Sequence, residues 1–300
     1  MRTVKLLLTL FITTSILSSC SVLLDDVVTN DISLEQVVSD YDLWYIDYHR
    51  TTGNGDVPFL SKAFTVSFLN GRMYANNNIV DVGRTGNGLG ILVGDYNTSR
   101  GYLETFHDLD GGYNFDVHQL SANEIRIDDA SQNVSYYLIG YQTNEFDYDK
   151  LFYENIEYFL QEFNAWEKID ATGGIANAFD EENYLAFTPE NITTFYSSQD
   201  NLGITIADLK WDYVGGYQIY DVQDYEDLKI LTLNYDDGDI EEFELSVITD
   251  DKIRLYHISS ETTYDFSGRD FIQFLRKDVR KSGRKRTKVK RETKIRRNLK

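Results

Sequence analysis

The sequence predicts a mainly β protein of two tandem antiparallel β-barrel or meander domains, each opened by a short amphipathic helix. This prediction rests on the aromatic content, an internal duplication and short runs of alternating apolar and polar residues. The chain has 300 residues, with 22 Tyr, 17 Phe and only two Pro, and this composition favours strands over bundled helices. Its length is typical of two domains of ordinary size.

The clearest sign of the duplication is a helical stripe that occurs twice. Apolar residues at i, i+3, i+4 and i+7 predict an amphipathic helix. They are Leu34, Val37, Val38 and Tyr41 and, 122 residues further on, Ile156, Phe159, Leu160 and Phe163. Ser33 and Gln36 form a predicted capping box before the first helix, and Asp149 is the expected cap of the second. A tryptophan follows each stripe by three residues, as Trp44 and Trp166.

The two copies also match at their ends, where the offset is 128 residues and Gly140 corresponds to Gly268. A net insertion of six residues in the second copy explains the change of offset from 122 to 128. The duplication therefore covers about residues 30–142 and 149–275, which is most of the chain.

Within each copy, apolar and polar residues alternate with a period of two. Residues 243–247 (FELSV) predict a strand with one buried and one exposed face. Asn70-Gly71 lies between two such runs and predicts a tight hairpin turn. We expect about eight short strands after each helix, and a meander of that size is most stable when it closes into a barrel without free edges.

Three features resemble lipocalin-like domains of Bacteroidetes envelope lipoproteins. They are the short helix followed by a tryptophan, the segment Gly216-Tyr217-Gln218-Ile219, and the closing hairpin over residues 243–266. The resemblance implies two tandem lipocalin-like barrels and a location in the cell envelope. Similar chains are sometimes labelled nicotinate-mononucleotide adenylyltransferase. The H-x-G-H motif of that family is missing from this sequence, because no two of the four histidines lie three residues apart.

The N-terminal segment predicts a signal peptide over residues 1–19. Arg2 and Lys5 supply the positive charge, and the apolar stretch over residues 6–17 is too short to span a bilayer comfortably. The segment Leu17-Ser18-Ser19-Cys20 resembles a bacterial lipobox, which implies cleavage before Cys20 and acylation of that residue.

Lipidation of Cys20 implies a stable membrane anchor, since several acyl chains bind a bilayer far more firmly than one. Palmitate is an expected acyl group, and residues 20–30 form the expected tether. An aspartate directly after the lipidated cysteine often keeps lipoproteins at the inner membrane. Ser21 stands at that position here and therefore favours the outer membrane. Cys20 is the single cysteine of the chain. An intramolecular disulfide, a cysteine zinc site and a thiol nucleophile in the mature chain are therefore excluded.

The charge is divided between two unlike regions. Residues 1–275 contain 15 basic and 47 acidic residues, whereas residues 276–300 contain 14 basic and two acidic residues. The two lipocalin-like domains are expected at residues 31–145 and 146–275. This acidic part of the chain is unsuited to binding nucleic acid. The basic tail is predicted to be disordered and to contact anionic lipid, lipopolysaccharide or an acidic partner.

The candidate ligand contacts are Trp211, a tryptophan that only one copy contains, and two tyrosines close to it in the sequence, Tyr213 and Tyr217. The duplicated Trp44 and Trp166 are expected to lie in the core, because barrels of this size fill their interiors or hold one small ligand.

No cofactor, metal site or catalytic group is expected. The Gly-rich residues 85–90 lack the lysine and the helix of a phosphate-binding loop. The acidic segments 107–111 and 236–239 lack the EF-hand spacing and are expected to be hairpin turns. The sequence thus predicts a lipid-anchored, non-catalytic module that binds a small apolar ligand or scaffolds an envelope protein. The alternative is an enzyme acting on nucleotide or envelope substrates.

Overall fold

The computed structural model describes residues 32–81, 86–188, 193–272 and 291–294. Within these ranges the chain forms two closed eight-stranded antiparallel β-barrels in tandem, so the predicted fold class of two tandem lipocalin-like barrels is confirmed. The predicted signal peptide, tether and Cys20 lie outside the described residues. No helix in the described part of the chain is long and apolar enough to cross a membrane.

Consecutive strands pair within each barrel, and the last strand returns to the first. The first barrel contains β1 (Leu43–Gly53), β2 (Thr65–Leu69), β3 (Arg72–Asn76), β4 (Ile91–Asn97), β5 (Leu103–His107), β6 (Gly111–Ser121), β7 (Glu124–Asp129) and β8 (Val134–Tyr141). The second contains β9 (Phe163–Gly173), β10 (Tyr184–Phe187), β11 (Thr194–Ser198), β12 (Tyr213–Val222), β13 (Tyr225–Tyr235), β14 (Ile240–Thr249), β15 (Lys252–His257) and β16 (Thr262–Phe271).

Short helices precede both barrels. They are α1 (Leu34–Ser39), α2 (Tyr148–Glu154) and α3 (Ile156–Leu160), and short 3₁₀ turns occur at Ile79–Asp81, Ala178–Glu181 and Ile206–Asp208. The predicted capping box of α1 is confirmed, since the Ser33 hydroxyl accepts from the Gln36 amide and the Gln36 side chain accepts from the Ser33 amide.

The prediction of one helix capped by Asp149 before the second barrel is wrong. Two helices are present, because the chain leaves helical geometry at Asn155, where φ is −124° and ψ is 30°. The residue that caps α2 is Asp147, whose side chain accepts from the backbone amide of Lys150, and Asp149 lies in the first turn.

The duplicated tryptophans occupy equivalent places in the two barrels. Both are at most 1% exposed, which confirms the expectation that they lie in the core. The indole N–H of Trp44 donates to the carbonyl of Val38, and that of Trp166 donates to the carbonyl of Leu160, each at 2.8 Å. Each tryptophan therefore links the first strand of its barrel to the helix that precedes it.

The glycines at the second offset show the same duplication. Trp44 pairs with Gly140 on the last strand of the first barrel, and Trp166 pairs with Gly268 on the last strand of the second. A Cβ on Gly140 would lie 2.4 Å from the ring of Tyr41, and one on Gly268 would lie 2.5 Å from the ring of Phe163. Glycine is therefore required at both places, because an aromatic ring rests on the strand.

The barrel interiors are filled with apolar and aromatic side chains. In the second barrel the ring of Phe179 lies 4.6 Å from that of Phe243 and 5.1 Å from that of Tyr264. In the first, Phe64 is fully buried and packs edge-on against Tyr48 at 5.7 Å. Such packing favours solid cores over ligand-filled barrels.

The predicted hairpin turns are present. Asn70 and Gly71 both have positive φ, at 52° and 78°, as the tight turn between β2 and β3 requires. Gly111 and Gly238, with φ of 88° and 102°, occupy the equivalent hairpins β5–β6 and β13–β14. The two acidic segments are thus hairpin turns, as expected.

One strand was not predicted. Residues Arg291–Lys294, within the tail predicted to be disordered, form β17, which pairs in parallel with the second half of β12. The prediction of disorder is wrong for these four residues, because β11 leaves the edge of β12 after Gly216 and a further strand can bind there. The other residues of the tail lie outside the described ranges.

Candidate functional site

A cavity of about 1110 Å³ lies at the junction of the two barrels, with α2 as part of its wall. The first barrel contributes residues of β1 and β8. The second contributes the end of β12, the turn that follows and the start of β13. The volume is slightly larger than that of most small-molecule sites, which hold about 300–1,000 Å³. This cavity, called the interdomain cleft below, is the candidate functional site.

Strand β1 supplies the first-barrel wall of the cleft. Successive side chains of a strand point to opposite faces, so Trp44 lies in the barrel core while Tyr45, Asp47 and His49 line the cleft. The alternation that builds the core thus also places a carboxylate and two ring systems on the cleft side.

Two hydrogen bonds attach the helices to this wall. Nδ2 of Asn155, between α2 and α3, donates to the hydroxyl of Tyr45 at 2.8 Å. Nε2 of His49 lies 2.7 Å from the carbonyl oxygen of Glu154, so this ring nitrogen carries the proton. The end of α2 is therefore fixed against the first barrel, although it leads into the second.

Helix α2 brings several carboxylates to the cleft. Asp147, Asp149 and Glu154 line it, together with Lys150. Asp147 is explained by its role as the N-cap, and Asp149 lies in the first turn, where negative charge favours a helix. An adjoining cavity of about 540 Å³ also includes Asp149, so the acidic surface continues around the helix.

The hairpin between β12 and β13 forms the opposite wall. It contributes Asp221, Asp224, Glu226 and Asp227 to the cleft. Asp224 has a positive φ of 66° and forms the turn, a conformation that Asp adopts more readily than most residues. The amino group of Lys229, which is 6% exposed, lies 2.8 Å from the Asp221 carboxylate.

The cleft carries a large excess of negative charge. Eight carboxylates line it against two lysines, a formal charge of −6 with His49 neutral. Both lysines are already engaged, Lys229 with Asp221 at 2.8 Å and Lys150 with Glu154 at 3.6 Å. Carboxylates held around a partly enclosed space produce a focused negative potential that attracts cations.

The raised pKa of Glu154 shows that its charged form is destabilised in the cleft. Burial raises the pKa of its carboxyl group, and the nearby Lys150 only partly opposes that effect. The pKa of Lys150 is in turn raised, chiefly by the charge of Glu154. A bound cation would offset the desolvation of Glu154, so its binding is expected to strengthen as pH rises through the raised pKa.

A second polar cluster lies in the second barrel around Glu182, which is 5% exposed. The hydroxyls of Ser197 and Tyr235 donate to its carboxyl group. Burial raises the pKa of Glu182 to about 7, with the charge of Glu241 adding to the effect. These contacts are all internal to the barrel, so we assign the cluster to the packing of the barrel and not to a ligand site.

A third cluster bears on the enzyme alternative. Nε2 of His257 lies 2.6 Å from the carboxylate of Glu241, and Nδ1 lies 2.7 Å from the hydroxyl of Ser260. This order of groups resembles a serine hydrolase triad. Ser260 is 4% exposed, however, and its oxygen also accepts from Asn177 Nδ2 and from the Thr262 amide. The hydrogen-bonding capacity of Ser260 is therefore filled, and this hydroxyl links its neighbours instead of acting as a nucleophile. The exposed Ser259 hydroxyl lies 3.0 Å from Nε2 of His257, the ring nitrogen that also contacts Glu241.

The structure places the three predicted ligand contacts away from the cleft. Tyr217 is fully buried in the second barrel, where its hydroxyl accepts from Nε2 of Gln161 at 2.9 Å. Trp211 is 37% exposed, and its ring lies 5.9 Å from that of Tyr196. Tyr213 begins β12 and is half-buried. None of the three lines the interdomain cleft, and a contact between a ligand and Trp211 or Tyr213 stays a prediction.

The cleft residues themselves were not predicted as a site. A signal was present, since residues 221–227 (DVQDYED) hold four acidic residues and Asp147 and Asp149 precede a helix. In a chain with 49 acidic residues, such clusters are too frequent to single out a site. Within the described ranges, no group of three or more His, Cys, Asp or Glu side chains is placed to hold a metal ion.

The fold and the site together define a tandem-barrel protein with an acidic cleft between its barrels. In comparisons with known proteins, no family model matches the chain, and no curated protein matches it either.

Proposed function

We propose that the chain is a non-catalytic binding protein of the bacterial cell envelope that takes an organic polycation into the interdomain cleft. The observation that carries this proposal is a cavity of about 1110 Å³ lined by eight carboxylates, whose two lysines are already paired. A ligand with several amino groups would neutralise this charge.

The chemistry of the lining favours an organic cation over a metal ion. The carboxylates are distributed over β1, α2 with its cap, and the hairpin between β12 and β13, and no described group of them is placed to hold a metal ion. The rings of Tyr45, Tyr153 and Tyr225 and the side chains of Ile139 and Val222 also line the cleft. Aromatic faces attract ammonium groups, and the aliphatic side chains can contact the methylene groups between them. An apolar ligand is disfavoured, because the charged lining would be desolvated without compensation.

Removing the charge of the hairpin wall is expected to weaken binding of such a ligand. Spermine serves as the probe, titrated by calorimetry against the full-length chain. The triple variant Asp224→Asn, Glu226→Gln and Asp227→Asn should bind spermine at least about tenfold more weakly, a loss of about 1.4 kcal/mol. Both proteins should bind more weakly as salt is added, since exposed charges are screened.

A matched control removes the same charge at the other end of β13. The variant Asp236→Asn, Asp237→Asn and Asp239→Asn changes exposed residues of the β13–β14 turn that do not line the cleft. It should bind spermine about as well as the unchanged chain. Equal weakening in both variants would mean that net charge alone attracts spermine, and that result would contradict a site in the cleft.

The envelope location rests on the lipobox-like segment that ends at Cys20. We expect the full-length chain to incorporate labelled palmitate in a bacterial host and the Cys20→Ala variant to lose that label. Unchanged labelling of the variant would contradict lipidation at this residue, without affecting the proposal for the cleft.

A further inference from the structure

The hairpin between β12 and β13 is longer than its counterpart in the first barrel. Gly94 and Gly216 are 122 residues apart in the sequence and hold equivalent places, the first paired with His107 and the second with Asn234. The hairpin that follows Gly216 has five more residues than the one that follows Gly94. Most of the six-residue insertion in the second copy therefore lies in this hairpin.

The added length carries β12 past the strand that pairs with it in the barrel. Strand β11 pairs with β12 from Tyr213 to Gly216. From Ile219 to Val222, the same edge of β12 pairs with β17, a parallel strand of four residues. A strand edge that its own sheet does not cover is a template for pairing with another chain, and β17 shows that this edge accepts a parallel strand.

The accepting edge borders the interdomain cleft. Asp221 and Val222, at the end of the paired segment, also line the cleft, and the turn and the start of β13 add three more carboxylates to it. Residues 217–228 (YQIYDVQDYEDL) contain four acidic residues and no basic one. A strand that binds this edge therefore lies beside a negatively charged surface.

The parallel orientation determines where the rest of a bound strand goes. The register runs from Ile219 opposite Arg291 to Val222 opposite Lys294, and beyond Val222 the chain enters the turn that carries Asp224. In any strand bound this way, the residues after the paired four lead towards the acidic turn, and those before them lead away from it. Positive charge is therefore favoured after the paired residues.

We propose that the edge of β12 over Ile219–Val222 binds an extended segment of another protein by strand addition, in the place that β17 occupies. The segment runs parallel to β12 and carries Lys or Arg directly after its paired residues. Main-chain hydrogen bonds supply affinity in this mode of recognition, and the acidic turn supplies the preference for a basic segment. The inference rests on the proposed function, because it names a basic polypeptide segment as the polycation of the cleft.

The direction of binding is tested with two labelled peptides of identical composition, RETKKKK and KKKRETK, each containing the four residues of β17. Fluorescence anisotropy with the full-length chain, at about 0.15 M salt, measures their affinities. RETKKKK should bind at least about fivefold more tightly, because its lysines then meet the acidic turn. Equal affinities, or tighter binding of KKKRETK, would overturn the proposed parallel orientation.

Removal of β17 from the edge should strengthen binding of RETKKKK. Proline has no N–H and cannot donate to a strand ladder. Glu292→Pro combined with Thr293→Pro therefore disrupts the pairing, whichever of the two residues directs its N–H towards β12. The full-length double variant should bind the peptide at least about threefold more tightly than the unchanged chain. Unchanged affinity would mean that the peptide and β17 do not share a site, and that result overturns the proposal.

Backbone methylation tests strand addition itself, with charge held constant. Alternate residues of a strand direct their N–H groups to the same neighbour. One form of RETKKKK is methylated on the amides of its first and third residues, and the other on those of its second and fourth. One form should bind at least about tenfold more weakly than the parent peptide and the other within about twofold. Equal affinities of the two forms would show that charge alone attracts the peptide.

The outcomes separate this inference from the proposed function. If spermine binds and the two methylated peptides bind alike, strand addition fails and the cleft remains a polycation site. If spermine does not bind but the methylated peptides differ, the proposed function fails and the edge of β12 remains a strand acceptor. Light scattering tests the other occupant: a dimer of the unchanged chain that the proline variant loses would assign the edge to a second copy of this chain and overturn the proposal.

Discussion

Replacement of Gly268 by alanine is expected to lower the free energy of unfolding by about 3 kcal/mol. The added Cβ would lie 2.5 Å from ring atoms of Phe163, well inside van der Waals contact. Phe163 is 5% exposed, and its ring is 4.8 Å from that of Trp166, so it has little room to move. Strand β16, which carries Gly268, must therefore shift, or the contact between α3 and the barrel must open.

The equivalent change in the first barrel is expected to cost less. A Cβ on Gly140 would lie 2.4 Å from the ring of Tyr41. That ring packs edge-on against Trp44 at 5.1 Å, but Tyr41 is only half-buried and can move outward. We expect a loss of about 2 kcal/mol for Gly140→Ala.

The controls are strand glycines with space for a methyl group. A Cβ on Gly112 or Gly216 would meet its nearest atoms at 3.5 Å, and neither residue has a positive φ. Alanine at these positions should be neutral or stabilising by about 0.4–1 kcal/mol. Urea unfolding followed by circular dichroism measures all four variants. Similar losses for all four would show that the ring contacts are not the cause.

Glu182→Gln is expected to stabilise the protein at neutral and alkaline pH, by up to about 3 kcal/mol. Burial raises the pKa of Glu182 from its ordinary value near 4.5 to about 7. Between these two values the carboxyl group ionises in the unfolded chain before it does so in the folded one. The folded state then binds more protons, so the stability of the unchanged protein falls as pH rises from about 4.5 to about 7. Glutamine mimics the neutral acid and removes this decline.

The pH profile distinguishes this effect from simple repacking. Below about pH 4.5, where the carboxyl group is protonated in both states, the two proteins should differ little. Glu181→Gln, a change at the exposed neighbouring residue, should leave the profile unchanged. A constant difference between Glu182→Gln and the unchanged protein from pH 4 to pH 8 would contradict the raised pKa.

The barrels were predictable because they depend on patterns that the sequence repeats. The offset of 122 residues joins Trp44 to Trp166, and the offset of 128 joins Gly140 to Gly268. In the structure these four residues form two equivalent pairs between the first and last strands. A local hydrophobic pattern and a turn signal such as Asn70-Gly71 are sufficient to predict such elements.

The cleft was not predictable in the same way, because it belongs to neither copy alone. Its walls come from β1, from α2 and from the hairpin between β12 and β13, and residues as distant as Asp47 and Asp227 meet there. No sequence spacing relates them. The pairing of β17 is equally non-local, because it depends on an edge of β12 that only the folded second barrel exposes.

Hydrogen exchange of the full-length chain, measured by mass spectrometry with and without spermine, tests the cleft most directly. We expect slower amide exchange in residues 147–154 and 221–229, the segments that carry Lys229 and all seven of the lining acidic residues outside β1. The β13–β14 turn at 236–239, equally acidic but outside the cleft, should exchange as before. Protection at that turn instead, or equal protection at both places, would contradict a binding site between the barrels.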